Sequence, residues 1–161
     1  MGIEVKTLVE LSSTKTPPSV TELTKWVDEQ IAIYKTNPEK IENVIELRNK
    51  AYATDLINDA HIELTLAEKD IYEVEKIADA SHKLYEKNQL SEDEIFFRTK
   101  KLAGYLSLLI HIHKGGEWVE FDDSEAIKIG HGYYMFLDKT YRRIINGYED
   151  NLLHFYQSIE Y

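Results

Sequence analysis

The stretch that most constrains this chain is LAGYLSLLIHIHKGGEW, Leu102 to Trp118. From Leu102 to Ile112 only Gly104, Ser107 and His111 interrupt the apolar residues, so a helix here is hydrophobic around most of its circumference and must lie inside the protein. It is too short for a bilayer, which needs roughly 20 apolar residues. Gly115 and Gly116 supply backbone geometry that ends helices, and Glu117-Trp118-Val119-Glu120-Phe121 then alternates as a half-buried strand does. The spacing predicts a central helix that hands the chain to a small sheet.

The rest of the chain arranges itself around that helix. Ile3 to Leu11 reads as an N-terminal strand and Ser12 to Pro18 as a loop. Ser19-Val20-Thr21-Glu22 is a capping-box pattern, and Val20, Leu23, Val27, Ile31 and Tyr34 share one face of a helix over about 19–36. Asn37-Pro38 ends it and starts a second helix, with Asn37 as cap and Pro38 at the first helical position; Ile41, Val44, Ile45, Tyr52 and Leu56 point inward as it runs to about 60. Thr65-Leu66-Ala67-Glu68 predicts a third helix over 66–87, with Ile71, Val74, Ala78 and Tyr85 at helical spacing. Ser91-Glu92-Asp93-Glu94 starts the central helix, which runs to about His113 and carries three acids in its first turn, where the helix dipole favours them.

Beyond it, turn residues at Asp122-Asp123-Ser124 and Gly130-His131-Gly132 separate strands ending near Phe121, spanning 126–129 and spanning 133–136, which make a meander. Asp138 is placed to cap a short helix that breaks at Asn146-Gly147, and 149–159 forms a last helix. The expected class is α+β and predominantly helical: antiparallel helices with a small C-terminal β-meander capped by helices. The whole of 1–161 is expected to be a single domain, with a mainly helical part over 1–90 and the central helix, meander and last helices over 91–161.

Composition narrows the function. An apolar share of 43% with 30% charged residues is that of a folded soluble chain, and the absence of cysteine excludes disulfides, thiol chemistry and cysteine-held zinc. The first residues, Met1-Gly2-Ile3-Glu4-Val5-Lys6, do not read as a signal peptide, so the expected location is cytoplasmic, with no membrane partner. A net charge of −10 opposes nucleic-acid binding, because phosphate neutralisation needs clustered Lys and Arg.

The acids are unevenly spread. Residues 51–80 hold Asp55, Asp59, Glu63, Glu68, Asp70, Glu73, Glu75 and Asp79 against Lys69 and Lys76 alone. Such a run is ordinarily a solvated helical face. Its functional reading is a landing surface for a basic protein, since a field of one sign steers association.

No catalytic signature accompanies it. His111-Ile112-His113 on a helix diverge by about 200° and cannot readily share a metal, although Glu117 and His131 lie close in sequence. Gly130-His131-Gly132 lacks the third glycine of a dinucleotide loop, and no GxxxxGK[ST], HExxH or GxSxG occurs. Tyr133, Tyr134, Tyr141, Tyr148, Tyr156 and Tyr161 crowd the C-terminal third, where tyrosines serve as core or as interface anchors; Trp26 and Trp118 read as core.

Residues 102–159 resemble a family of bacterial domains in which an apolar helix with an early glycine runs into Gly-Gly-x-Trp, then short strands, a basic helix and an Asn-Gly-x-x-Asp segment ending in Phe-Tyr. Here these are Leu102-Ala103-Gly104-Tyr105, Gly115-Gly116-Glu117-Trp118, Arg142-Arg143-Ile144-Ile145-Asn146-Gly147-Tyr148-Glu149-Asp150 and Phe155-Tyr156. Leu137 stands where the family commonly has proline, and Ser107 and Leu108 stand where it has a glycine and an acid. The resemblance implies an immunity-type protein of a polymorphic toxin system, without catalytic residues or cofactor. The resulting expectation is a protein that binds a cognate, basic toxin domain and occludes it, with Asp55, Asp59, Glu63, Asp70 and Glu73 meeting toxin cations and Tyr133 and Tyr134 as anchors. The alternatives are a small metal-dependent enzyme built on His111, His113, Glu117 and His131, and a homo-oligomeric scaffold or regulatory module.

Overall fold

A computed structural model describes residues 11–160; the strand expected over Ile3 to Leu11 lies almost wholly outside them. Six α-helices and one antiparallel sheet are formed among the described residues: α1 Val20–Thr36, α2 Val44–Asp59, α3 Asp70–Glu86, α4 Glu92–Lys114, β1 Glu117–Phe121, β2 Ser124–Ile129, β3 Gly132–Tyr134, α5 Phe136–Asn146 and α6 Leu152–Ser158. The fold is α+β and predominantly helical, and the sheet has the order β1-β2-β3 of a meander. No helix among the described residues is long and apolar enough to cross a membrane.

Helix α4 is the axis. Leu102 to Ile110 are buried without interruption, and α2, α3, α5 and β2 all pack on α4. Its start is the reciprocal box foreseen in the sequence: Ser91 Oγ accepts from the Glu94 N–H at 3.1 Å and the Glu94 carboxylate accepts from the Ser91 N–H at 2.9 Å. Its end is set by Gly115 (φ 96°), whose N–H donates to the Ile110 and His111 carbonyls. Gly104 is where α2 crosses: a Cβ there would lie 2.5 Å from the Asn49 carbonyl oxygen and 3.0 Å from Tyr52 Cβ. Trp118 is buried and donates to Ser107 Oγ at 2.8 Å, so the first strand is fastened to the helix that precedes it.

Several boundaries differ from expectation. Asn37-Pro38 begins only a 3₁₀ turn, Pro38–Lys40; α2 starts at Val44, capped by Asn43, whose amide also donates to the Trp118 carbonyl at 2.9 Å. Val44 is consequently exposed rather than inward. Thr65-x-x-Glu68 is not a cap: Leu66 sits fully buried in the left-handed region (φ 68°), and α3 begins at Asp70. Glu68 instead accepts from the Ser13 N–H and the Tyr156 hydroxyl. Asp138 lies inside the first turn of α5 and pairs with Arg142, while buried Phe136, expected in a strand, opens that helix. At the C-terminus Gly147 ends α5, and Asn151 caps the shorter α6 by accepting from the His154 N–H.

Candidate functional site

The eight acids of residues 51–80 do not form one acidic face. Asp70 is buried and its Oδ2 accepts from the Thr65 and Leu66 N–H groups at 2.9 and 3.1 Å and from the Tyr105 hydroxyl at 2.6 Å. It therefore cannot meet a partner's cation, which corrects its place in the expected docking set. Burial and the bonded Asp70 carboxylate push the Tyr105 hydroxyl far above its ordinary range, keeping it a donor. Glu75 is likewise inside, accepting from Arg143 Nε and Nη2 at 2.8–3.1 Å, from Asn151 Nδ2 and from the Leu152 N–H.

Asp55, Asp59 and Glu63 are at the surface and Glu73 is half-buried. Asp59 is neutralised by Lys101 at 2.5 Å, and Glu73 by Lys76 at 3.5 Å. Partial burial, opposed by Lys101 and reinforced by Asp59, raises the Asp55 carboxyl above its ordinary value. Asp59 and Glu73 line a cleft of about 510 Å³ between α2, α3 and α4, where Lys76, Arg98 and Lys101 also stand. Those two acids thus share a mixed-charge cleft rather than an acidic landing surface.

An exposed aromatic pair with acids nearby lies on the sheet. β1 and β2 pair from Glu117↔Lys128 to Phe121↔Ser124, and β2 pairs with β3 through Lys128↔Tyr133. This register puts Phe121 and Tyr133 on one face from opposite edge strands. Their rings stack with centroids 4.0 Å apart and planes 13° apart, and both remain exposed. Lys128 Nζ lies 5.6 Å from the Tyr133 ring centroid. Glu117, Glu120, Asp122 and Asp123 are exposed along the same hairpin. Asp122 (φ 53°) and Asp123 (φ 60°) both occupy the left-handed region, as a two-residue hairpin turn of right-handed twist requires and as Asn-Gly would do with less strain. Tyr134 pairs in register with Ile127, is half-buried and packs against the core, so it supports the sheet from the inner side and is no exposed anchor.

The histidines are not brought together. His111 Nδ1 lies 2.7 Å from the Gly116 carbonyl oxygen and its ring leans on Trp118. Buried His113 bridges Ser13 Oγ through Nδ1 at 2.6 Å and the Leu66 carbonyl through Nε2 at 2.8 Å, so both ring nitrogens are occupied. His131 and Glu117 are exposed, His131 in the β2–β3 turn and Glu117 on β1. Among the described residues no group of three His, Cys, Asp or Glu is placed to hold a metal.

The stacking of Phe121 on Tyr133 across the intervening strand β2 has no short-range signature in the sequence. Comparison of the chain with protein-family models, with curated proteins and with solved structures returns no match, so the geometry above is what a functional reading has to stand on.

Proposed function

We propose that this chain is a stoichiometric protein-binding module of the immunity type, which attaches to a basic toxin domain through the β1–β2–β3 face and occludes it. The observation that carries this reading is the exposed Phe121–Tyr133 stack, with exposed Glu117 on the same face of the sheet and exposed Asp122 and Asp123 in the turn that follows Phe121. Rigid aromatic rings anchor protein interfaces at small entropic cost, and a border of one charge speeds encounter with an oppositely charged partner. The hairpin turn adds support, since two adjacent aspartates in left-handed backbone keep a like-charged pair where an unstrained turn would carry Asn-Gly.

The test is co-expression in bacteria with the protein encoded beside this chain's gene. Growth arrest by that neighbour alone, relieved by this chain in a one-to-one complex, is the expected result. Phe121→Ser with Tyr133→Ser should weaken the complex by about 100-fold, two interface anchors' worth, while the melting temperature stays within a few degrees. Relief of arrest that survives the double substitution at unchanged affinity would remove this face from the interaction; a neighbour that neither arrests growth nor binds would count against the immunity reading itself.

A further inference from the structure

We infer that the cleft between α2, α3 and α4 is a binding site for a small amphipathic carboxylate, with Arg98 as its anion receptor. The floor is apolar, made by Leu56, Ala60, Ile62, Ile77 and Leu102, and the volume of about 510 Å³ is that of a small-molecule site. Ile62 is exposed at this floor, an apolar side chain that the fold itself does not cover.

The charged residues of the lining are unevenly paired. The lining contains three cations, Lys76, Arg98 and Lys101, and two carboxylates, Asp59 and Glu73. Lys101 is matched with Asp59 and Lys76 with Glu73. Arg98 has no carboxylate partner among the described residues: its one hydrogen bond there runs from Nη1 to Ser81 Oγ at 3.2 Å. The Glu94 carboxylate one turn earlier is attracted by Arg98 but is occupied by Ser91, whose backbone and side-chain hydrogen bonds hold it below its ordinary value. Arg98 is therefore the one cation of this lining without a carboxylate ion pair among the described residues.

Arg98 is half-buried, and Ser81, which accepts its hydrogen bond, is fully buried. A guanidinium steadied at one nitrogen keeps the rest of its planar fork for a carboxylate, which it grips in two parallel hydrogen bonds; an unpaired, partly desolvated cation of this kind gains most from such a ligand. The apolar floor then takes an acyl or aryl body. A dianion or a phosphate ester fits poorly, because Asp59 and Glu73 border the same space and Arg98 alone of the lining cations lacks an ion-pair partner among the described residues. This site is separate from the sheet face and does not depend on the immunity reading.

Decanoate is a suitable probe, titrated into the full chain by calorimetry well below its micellar range, with 1-decanol as the uncharged control. Saturable one-to-one binding of decanoate is expected, with chemical-shift changes in amides of 56–62, 73–80 and 98–102. Decanol should bind at least tenfold more weakly, and Arg98→Gln should weaken decanoate by at least tenfold. Ala80→Trp, which fills the cleft from the exposed side of α3 and leaves Arg98 alone, should abolish binding at unchanged melting temperature. Absence of saturable binding, equal affinity for decanol, or full affinity in either folded variant would overturn the assignment.

Discussion

Asp70 and Asp79 stand on the same helix, one as an acceptor for backbone and tyrosine inside the protein, the other at the edge of the Arg143 site. Hydrogen bonds from Arg143 and then Lys83 hold the Asp79 carboxyl below its ordinary value of 3.8, against partial burial. Because the folded value is the depressed one, the stability Asp79 contributes is complete above the unfolded value and is lost as pH falls through the folded one. Asp79→Asn is expected to lower stability near neutral pH by about 1 kcal/mol or less, the side chain being partly exposed. The gap from wild type should narrow as pH falls below about 5 and close once the folded-state carboxyl is itself protonated. Thermal melts across that range check this; a gap independent of pH would show that the carboxylate's charge is not what matters.

At the scale of elements, the crossing of α2 over α4 depends on the missing side chain of Gly104. Gly104→Ala places a methyl group against the Asn49 carbonyl and the Ala53 N–H, both backbone and unable to step aside. It should cost about 1–3 kcal/mol by overpacking, despite alanine's better helix propensity, as a lower urea midpoint with unchanged slope. The hairpin offers the opposite case. Asp122→Asn with Asp123→Gly relieves the left-handed aspartates and should stabilise the chain by about 1 kcal/mol, while removing two of the charges assigned to partner attraction. A variant that melts higher yet associates more slowly with its partner at low salt would match both expectations; unchanged association would leave the turn a structural feature alone.

Across the whole molecule, the Arg143 cluster joins parts of the chain far apart in sequence. Arg143 on α5 is fully buried, Glu75 on α3 nearly so, and Asn151 and the first N–H of α6 complete the shell around Glu75. Glu75→Gln leaves a buried guanidinium with only the half-exposed Asp79 for charge balance. The expected loss is about 3 kcal/mol, and Glu75→Leu with Arg143→Leu should recover part of it, since a buried pair removed together costs less than one partner removed alone. Urea unfolding of the three proteins decides; a double variant less stable than Glu75→Gln would mean that the pair stabilises beyond its own desolvation.

Much of this architecture was legible in the order of residues. The apolar run of α4, the Ser91–Glu94 box, the glycine stop at 115–116, the strand order of the meander and the helix break at Gly147 all depend on neighbours within a few positions, and they stand where the pattern puts them, although β3 ends at Tyr134 rather than at Phe136. Local pattern misleads where a distant group competes. Leu66 accepts left-handed backbone because Asp70, Tyr105 and His113 all bind it, and α2 starts late because Asn43 reaches Trp118. The functional surfaces were the least legible part. A run of eight acids in sequence says nothing of which face each one takes, and folding turns Asp70 and Glu75 inward, pairs Asp59 and Glu73 with lysines, and leaves Arg98 without a carboxylate ion pair among the described residues. The sequence by itself determined the class of fold, its central helix and its net negative charge, because those follow from periodicity and count. Where that charge is cancelled, where it stands free and which aromatics meet was decided only by the tertiary structure, because pairing depends on distances between side chains that the sequence separates by as many as 100 positions.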